Sequence, residues 1–546
     1  MKRLVLLMLT LVLLTGCAGP GLPTESAGGP TGQQFGELTC FSVEALESME
    51  VTQLLGTRGG LLVSGGGRLV LLSREDLSVL AECTLEASEL AYVQVLEDGL
   101  ALADPGKKTI TLLGPDLTVR EVLPCEAAEN TWLLRADGGE VYTLSTGGIG
   151  AWTPEGGSRE LLRCRFLSVQ SMSGEAIWLT AVGAEDILNH WYRLDLKTGE
   201  LLELQDSGLL ALQAGLRPQA DGTYLRIRGN EVRWYDSAGS FLSSFTLLGS
   251  RTVGTDFSWA EGRGWFFPVY GEKGCQIMLW EPAPGEGEAL KLQPEQVPQG
   301  EVLPEALYDR AEALSERFDL DIRIGDRAIR DYGSYDSGML TDPELTAKAL
   351  DVLEAALAVY PEGFFSQLKY GNRHSVRIEL VDGLKGKDGH DVSSGTSAFT
   401  VRRDRYCMIV LNAGRIRESA IFHEFSHIID DRMAFESKLR PGALFSEEGW
   451  LALQPEGFRY ADSYQNIPEE VTKFYDSGYF ARNYSCVSAT EDRAVTMEKA
   501  MMLEKAVFEA NPHLMPKLRY YCECIRDSFD TTGWPRILPW EQLLQE

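Results

Sequence analysis

Short apolar segments alternate with polar turns through the first half of the chain. Between about Cys40 and Pro294, an apolar strand, a turn and further strands follow one another, and the pattern returns after about 40 residues. The turn positions that mark the repeat are Asp76, Asp116, Glu155, Lys197 and Asp236. Because this is the period of a four-stranded propeller blade, the pattern predicts an all-β, propeller-like domain of about six to seven blades over residues 39–295.

Two β-sandwiches are the alternative for this region, since they also contain short strands at regular spacing. The dipeptide Asp98-Gly99 occupies a hairpin position, which favours antiparallel meanders over a parallel sheet. His190 is the only histidine in this half and stands beside Trp191. We assign no chemistry to it, because an isolated histidine is usually a packed residue.

The second part of the chain has a different pattern. From Glu281 the composition shifts to Pro, Gly and Glu, which indicates a linker, and helical spacing of apolar residues appears after it. Helices are predicted over 303–318 and 342–359, and strands over 375–381, 397–401 and 406–411. Residues 296–546 are therefore expected to form an α+β domain that is large enough to contain a cleft.

One predicted helix carries the candidate chemistry, in the segment ESAIFHEFSHIIDDRMAF. Its apolar stripe consists of Phe422, Phe425, Ile429 and Met433. His423 and His427 are four residues apart, so they stand one turn apart on one face and could converge on a divalent metal ion. Glu424 is turned from His423 by about 100° and is the candidate general base for a metal-bound water.

A third metal ligand has to come from elsewhere in the chain. A metzincin motif is excluded, because Asp430 and Met433 occupy the positions of its glycine and third histidine. Two carboxylates are candidates, namely Glu447, which follows His427 by twenty residues, and Glu491, which lies in a segment with helical periodicity. Glu491 is favoured, since a ligand on a second helix is held more rigidly than one near a turn.

The segment HEFSHIIDD, followed by Tyr484 and Glu491 in YSCVSATEDRA, resembles the gluzincin peptidases related to the catalytic domain of anthrax lethal factor and to the Pro-Pro endopeptidases. It is similar above all to zinc metallopeptidase lipoproteins of Firmicutes. The resemblance implies a zincin-like fold and zinc held by His423, His427 and Glu491. It also implies a zinc metalloendopeptidase that hydrolyses peptide bonds, with Glu424 as general base and the Tyr484 hydroxyl stabilising the oxyanion.

The resemblance covers residues 413–502, less than a fifth of the chain, and departs from the family pattern at Val495. Relatives often have a glutamate at that place, where it orients a ligating histidine. Asp430, Asp431 and Asp492 are alternatives for that role. Val495 leaves a second function open, that of a surface binding protein whose propeller does the work and whose peptidase domain is weak or inactive.

Three further histidines, His374, His390 and His513, qualify as functional residues by type alone. His390 lies in GKDGHDVSSG, which reads as a solvated loop. His513 follows Asn-Pro and reads as part of a turn between helices. We therefore expect neither of these two to take part in catalysis.

The N-terminus indicates export. Two cations precede an apolar run that is short for a membrane-spanning helix, which is typical of a secretory signal peptide over residues 1–17. The sequence LTGC, ending at Cys17, resembles the bacterial lipobox and implies that lipid is attached to this cysteine. An ordinary signal peptide with an incidental cysteine is the alternative. Residues 18–38 are rich in Gly, Pro and Ser and are predicted to be a flexible tether between the extracytoplasmic face of the membrane and the folded part.

The composition limits the partners of the protein. A formal net charge of −29 disfavours binding to nucleic acid, whose phosphates need Lys and Arg. Of ten cysteines, the nine besides Cys17 are scattered without a C-x-x-C pair, so neither a zinc ribbon nor a dense disulfide framework is indicated. The expected partners are a protein or peptide substrate, the membrane through the lipid anchor, and a protein bound by the propeller.

Overall fold

In a computed structural model, the chain divides into two compact units, one ending at Glu295 and one beginning at Gln296. The residues that the structure describes are 35–46, 49–65, 67–86, 92–96, 98–104, 106–124, 132–135, 140–153, 157–172, 176–183, 186–204, 216–219, 221–247, 252–254, 257–260, 262–271, 274–290, 297–333, 335–386, 397–403, 405–463 and 467–545. Cys17 and His390 lie outside these ranges, so the predictions at both positions stay predictions. Within the same ranges, no helix is both long and apolar enough to cross a membrane.

The described part of the N-terminal unit is built almost entirely from strands, most of them short. They are β1 (Glu37–Phe41), β2 (Gln53–Thr57), β3 (Gly60–Gly65), β4 (Arg68–Leu72), β5 (Val79–Thr84), β6 (Tyr92–Leu96), β7 (Gly99–Asp104), β8 (Thr109–Leu113), β9 (Val119–Pro124), β10 (Trp132–Arg135), β11 (Val141–Ser145), β12 (Gly148–Thr153), β13 (Gly157–Met172), β14 (Ala176–Gly183), β15 (Asn189–Asp195), β16 (Leu201–Glu203), β17 (Arg217–Pro218), β18 (Tyr224–Arg228), β19 (Glu231–Tyr235), β20 (Phe241–Thr246), β21 (Thr252–Val253), β22 (Ser258–Ala260), β23 (Gly264–Gly271) and β24 (Gly274–Glu281). A 3-10 helix, Glu44–Leu46, follows β1.

These strands form antiparallel meanders in which neighbours in the chain are neighbours in the sheet. Strands β2–β5, β6–β9 and β17–β20 make three four-stranded sheets, and β10–β16 make a seven-stranded sheet. The fifth sheet has the order β1, β24, β23, β21, with β22 also on β23. The first strand of the unit therefore pairs with the last, Glu37 opposite Glu281, as in a propeller whose ends close in one blade. The unit is a β-propeller, and the alternative of two β-sandwiches was wrong.

The number of blades is five, so the prediction of about six to seven blades was wrong. Strand β13 explains the difference, because it is 16 residues long and pairs along its first part with β12 and along its second part with β14. Two consecutive sequence repeats are thereby joined in one seven-stranded sheet. Counting turn positions therefore gives two blades for this region, whereas the structure has one sheet because both repeats share β13.

The repeated turns have a common chemistry. Asp76 accepts a hydrogen bond from the backbone N–H of Ser78 at 3.1 Å, between the third and fourth strands of its sheet. Asp116 accepts the corresponding bond from Thr118 at 3.2 Å, and Asp236 occupies the same place before β20. An aspartate that bonds the backbone two residues further on mimics a turn, which is why this residue type marks the repeat.

Burial differs from strand to strand within a blade. All six residues of β3 are buried, whereas nearly every residue of β9, the last strand of its sheet, is exposed. The apolar core accordingly lies between the inner strands of neighbouring sheets, as where Leu62 and Leu71 of one sheet pack with Leu100 and Leu102 of the next. This distribution is typical of sheets that pack face to face around a centre.

The C-terminal unit contains helices as well as strands. Its helices are α1 (Glu305–Phe318), α2 (Pro343–Leu357), α3 (Glu418–Leu439), α4 (Glu447–Leu451), α5 (Glu469–Thr472), α6 (Ala489–Met501), α7 (Lys505–Ala510) and α8 (Leu514–Ser528). Its strands are β25 (Asp321–Arg323), β26 (Tyr335–Gly338), β27 (Ser375–Gly386), β28 (Ala398–Arg402) and β29 (Tyr406–Asn412). Short 3-10 helices lie at Gly325–Arg327, Phe365–Leu368, Ala413–Arg415, Asn483–Cys486 and Pro539–Leu544.

One mixed sheet organises this unit. Its order is β25, β27, β29, β28, with β26 pairing to the far end of β27. Strands β25, β27 and β29 are parallel, and β28 runs antiparallel to β29 at the edge of the sheet. This arrangement confirms the predicted α+β class. The predicted helices and strands between residues 303 and 411 are present, although β27 continues to Gly386, beyond the predicted end at 381.

Helix α3 packs between this sheet and the other helices, in contact with β28, β29, α2, α6 and α8. The predicted apolar stripe is buried, with Phe422 1% exposed and Phe425, Ile429 and Met433 not exposed at all. Burial of each such side chain contributes about 1.5–3 kcal/mol. The helix is therefore fixed by its apolar stripe, and the histidines between those positions are presented on a rigid backbone.

Candidate metal centre

Helices α3 and α6 bring three potential metal ligands together. The Nε2 atom of His423 lies 3.0 Å from Oε2 of Glu491, and Nε2 of His427 lies 3.7 Å from Oε1 of the same carboxylate. One ligand atom from each residue falls within 4.8 Å of the other two. Both His423 and Glu491 are buried, with exposures of 7% and 4%. Two imidazole nitrogens and a carboxylate oxygen in such a group could hold a metal ion.

The start of α6 positions Glu491. Ser488 is the N-cap residue of this helix, and its side chain accepts a hydrogen bond from the backbone N–H of Glu491 at 3.2 Å. A serine cap stabilises the first turn of a helix by about 1 kcal/mol. Glu491 thus lies in a well-formed first turn, where the positive end of the helix dipole favours a carboxylate.

The two imidazoles have opposite shifts in pKa. Burial disfavours the cation at His423, but hydrogen bonding to Glu491 and Glu498 outweighs burial and raises the pKa of this histidine to about 9. Burial lowers the pKa of His427 to about 4. His427 is therefore neutral at pH 7 and able to donate a lone pair. His423 shares a proton with the two carboxylates, and a bound cation would displace this proton.

The other candidate for a third ligand, Glu447, is engaged elsewhere. Its carboxylate accepts hydrogen bonds from both terminal nitrogens of Arg493, at 2.9 and 3.1 Å. The side chain of Glu447 is 52% exposed, in contrast to Glu491. The structure thus places Glu491 beside the histidines, whereas Glu447 contacts Arg493, which lies on α6 together with Glu491.

Glu424 is buried beside the two histidines. The hydroxyl of Thr400, on the edge strand β28, donates a hydrogen bond to Oε2 of Glu424 at 2.7 Å. Burial raises the pKa of Glu424, while His423 and the hydrogen bond from Thr400 act in the opposite direction. A carboxylate with a raised pKa is suited to accept and return a proton near neutral pH.

Tyr484 lies on the open side of the group. Its ring centroid is 6.2 Å from that of His423, and the residue is 39% exposed. The guanidinium of Arg482 lies 5.5 Å from the centre of the Tyr484 ring. The tyrosine is therefore near the histidines and accessible to a ligand from solvent.

A residue that the sequence did not single out also contacts the group. Oε2 of Glu498, on α6, lies 3.3 Å from Nδ1 of His423. Burial raises the pKa of Glu498, but His423, Arg482 and Lys499 outweigh burial and lower this pKa below its ordinary value. Val495, at the position where the resemblance leads one to expect a glutamate, is fully buried. A helical repeat search extended to seven residues from Glu491 would have found Glu498, since residues seven apart share a face.

The three aspartates proposed as substitutes for an acid at 495 have other partners. Asp430 accepts a hydrogen bond from Nε of Arg493 at 2.6 Å, and Asp431 forms an ion pair with Arg402. Asp492 accepts a hydrogen bond from Lys517 at 2.8 Å. These contacts hold α3 and α6 together with β28 and α8, and they lie beside the ligand group.

Of the other histidines that the structure describes, His190 is paired, His513 is stacked and His374 is exposed. His190 lies between Asp186 and Glu203, at 3.0 Å from each carboxylate, which raises its pKa in spite of burial. His513 stacks on Tyr479 with ring centroids 3.8 Å apart. His374 is exposed at the start of β27. In the part of the chain that the structure describes, the group around His423 is the one cluster with metal-ligand geometry.

Comparisons with known proteins do not show a family for this chain. No family model matches the sequence, and no curated protein is similar to it. A streptogramin B lyase structure is 13% identical, with 45% of this chain and 87% of that chain covered and a TM-score of 0.27. A gluconolactonase from Xanthomonas campestris is 15% identical, with 50% and 99% covered and a TM-score of 0.29. The WD40 domain of Pan2 from Neurospora crassa is 11% identical, with 42% and 75% covered and a TM-score of 0.26. Scores this low carry no argument about function.

Proposed function

We propose that the C-terminal unit is a zincin-like, gluzincin-type metallopeptidase domain that hydrolyses peptide bonds. The observation that carries this proposal is the group of His423, His427 and Glu491, with Glu424 buried beside it on the same helix. The donor set fits zinc, which favours imidazole nitrogen and carboxylate oxygen and in catalytic sites keeps a position for water. Bound zinc supplies a water of lowered pKa and polarises the carbonyl of the scissile bond.

Glu424 is the proposed general base. Its carboxylate takes a proton from the attacking water and returns it to the amine of the leaving peptide. The hydrogen bond from Thr400 holds one oxygen of this carboxylate at 2.7 Å, so its orientation is set before substrate binds. A positioned base or acid of this kind contributes on the order of 10²–10⁴-fold to a rate.

Tyr484 is the proposed oxyanion donor. It is 39% exposed and has its ring near His423, so its hydroxyl can reach a substrate bound at the histidines. A phenol donates a hydrogen bond at neutral pH, which is what a developing negative charge on the carbonyl oxygen requires.

The edge of the sheet supports a peptide as the substrate. Among the described residues, β28 has β29 on one side and no strand on the other. An extended peptide can add to such an edge through main-chain hydrogen bonds. Thr400 lies on β28 and contacts Glu424, so a peptide along this strand would pass close to the general base.

We propose that the protein is a lipoprotein of the extracytoplasmic face of the membrane, anchored through Cys17. The apolar run and the LTGC sequence support this localisation. A stable anchor requires more than one acyl chain, which lipid modification at such a cysteine supplies. Mass spectrometry of membrane-extracted protein should find lipid on Cys17. Full-length protein that remains in the soluble fraction without lipid would rule the anchor out.

The second candidate is a binding lipoprotein whose propeller recruits a protein and whose peptidase domain is weak or inactive. Val495 favours it, since the usual acid is absent from that position. Metal content separates the two candidates. One tightly bound zinc per chain supports the peptidase, whereas protein that contains no zinc after purification and does not take it up supports the binding protein.

The peptidase is tested with a Glu424→Gln variant and a Glu418→Gln control, which alters an exposed glutamate in the first turn of the same helix. Both variants should keep the zinc of the parent. Cleavage of a peptide library derived from a bacterial proteome should fall by on the order of 10²–10⁴-fold in Glu424→Gln and stay unchanged in the control. Equal cleavage by Glu424→Gln and the parent would refute the proposed role.

A further inference from the structure

We infer that Glu498 is a positioning residue that orients His423 for metal binding, in place of the acid that is absent at Val495. The inference rests on the proposed metal centre. The resemblance to known peptidases places such an orienting acid at residue 495, one turn earlier on α6.

The ring of His423 on α3 lies between two carboxylates of α6. Its Nε2 faces Glu491 at 3.0 Å, and its Nδ1 faces Glu498 at 3.3 Å. Both glutamates are buried, with exposures of 4% and 5%. Nε2 thus hydrogen-bonds the carboxylate of Glu491, whereas Nδ1 lies at ion-pair distance from a separate carboxylate without a completed hydrogen bond to it.

The spacing of the two glutamates follows from helix geometry. Seven residues make almost two full turns, so Glu498 and Glu491 share a face of α6 and are separated by about 10 Å along its axis. Val495 lies between them on the same side and is fully buried. The imidazole of His423 reaches both carboxylates, one from each of its nitrogens.

Two cations hold the Glu498 carboxylate in place. Arg482 donates a hydrogen bond to Oε2 of Glu498 at 2.9 Å, and Nζ of Lys499 lies 3.1 Å from Oε1. Both oxygens of the carboxylate therefore have partners besides His423. A carboxylate held in this way cannot turn aside when the histidine binds a cation.

A fixed carboxylate beside Nδ1 favours one tautomer of the histidine, because a small rotation of the ring would bring Nδ1–H onto Glu498. When Nδ1–H points to Glu498, the lone pair lies on Nε2, the atom that faces Glu491. The negative charge also makes the imidazole a stronger donor to a metal ion. Glu498 thereby acts on the metal through His423, without itself being a ligand.

Arg482 contacts both Glu498 and the proposed oxyanion donor, Tyr484. The same guanidinium that bonds Glu498 lies over the ring of Tyr484. One arginine therefore contacts both the residue proposed to orient His423 and the proposed oxyanion donor.

A purely structural role for Glu498, as the partner of Arg482 and Lys499, makes a different prediction. In that case any change that keeps the negative charge would leave metal binding intact. Glu498→Asp tests this, because it keeps the charge but withdraws the carboxylate oxygen that contacts both Arg482 and His423. Glu504→Gln is the matched control, since Glu504 also pairs with Lys499, at 2.9 Å.

The experiment measures zinc affinity of the full chain by competition with a chromophoric chelator, and the visible spectrum of the cobalt-substituted protein. Glu498→Gln and Glu498→Asp should bind zinc about 10–100-fold more weakly than the parent and change the cobalt spectrum, whereas Glu504→Gln should match the parent. Circular dichroism of the metal-free proteins shows that each variant is folded.

Two results would overturn the inference, and they differ in meaning. If the Glu498 variants equal the parent in zinc affinity and cobalt spectrum, Glu498 does not position His423, and the proposed metallopeptidase still stands. If the folded parent itself binds no zinc, the proposed metal centre fails, and the role of Glu498 fails with it.

Discussion

Replacing Arg493 by methionine should loosen the contact between α3 and α6. Arg493 is 1% exposed and makes one buried ion pair, to Asp430 at 2.6 Å, besides its bonds to the half-exposed Glu447. Methionine has a comparable length and fills the space, but it leaves the buried Asp430 carboxylate without its cation. Removing one partner of a buried ion pair costs about 3–5 kcal/mol, because the remaining charge is uncompensated.

The two contacts of Arg493 contribute very different amounts. An ion pair with an exposed partner is worth at most about 1 kcal/mol, so Glu447→Gln should cost little. The buried pair with Asp430 accounts for the rest. A double change of Arg493→Met with Asp430→Asn leaves no buried charge and should cost at least about 1 kcal/mol less than the sum of the two single changes.

Amide hydrogen exchange of peptides from α3 and α6 measures this effect locally in the full chain. A loss of about 3 kcal/mol corresponds to roughly 100-fold faster exchange or more, if exchange follows opening of these helices. Peptides from the propeller should exchange as in the parent. If Arg493→Met exchanges no faster than Glu447→Gln, or if the double change is as damaging as the sum, the buried pair does not hold the two helices together.

Three further changes test other parts of the structure. Burial raises the pKa of Glu379 to about 7, so the folded state favours the neutral carboxyl. About 3 kcal/mol of stability is therefore lost as the pH rises from about 4.5 through 7. Urea unfolding at pH 5 and pH 8 should show a lower free energy of unfolding at pH 8 for the parent, and Glu379→Gln should abolish this loss. Tyr484→Phe should lower kcat by about 10²–10³-fold with little change in KM, and an unchanged kcat would exclude Tyr484 as the oxyanion donor. Thr400→Val should lower kcat about 10–100-fold at unchanged zinc affinity, whereas Thr400→Ser should keep the activity, and equal rates for all three proteins would exclude the positioning of Glu424.

The propeller was predictable because its signal is local. At three of the five predicted turn positions, an aspartate accepts a hydrogen bond from the amide two residues further on, namely at Asp76, Asp116 and Asp236. The number of blades was not predictable in this way. Whether two repeats form separate sheets or share β13 depends on pairing over 16 residues, to which turn residues contribute no information.

The site was predictable in the same measure. A spacing of four residues places His423 and His427 on one face of a helix. The apolar stripe of α3 beside them is buried, as its spacing predicts. Glu491 was favoured over Glu447 because it lies in a predicted helix, but its distance from the histidines depends on how α6 crosses α3, which the sequence pattern does not show. Glu498 was missed, since the family pattern directs attention to residue 495 and the contact with His423 is made between residues 75 positions apart.

The contacts around Glu447 show a further limit of the sequence. Both Glu447 and Glu491 are carboxylates near the motif, and residue type alone leaves both open as ligands. The structure separates them through Arg493, which lies two residues after Glu491 and takes Glu447 as its partner. A competing cation on the same helix thus determines which acid faces the histidines.

The proposed metal centre can be located by anomalous diffraction at the zinc edge, from crystals of the full chain grown with one equivalent of zinc. We expect a single strong peak at about 2.0–2.2 Å from Nε2 of His423, Nε2 of His427 and one carboxylate oxygen of Glu491, with Glu424 beside it and outside the ligand set. A peak at Glu447, a peak remote from these histidines, or no peak at this group would contradict the proposed metal centre.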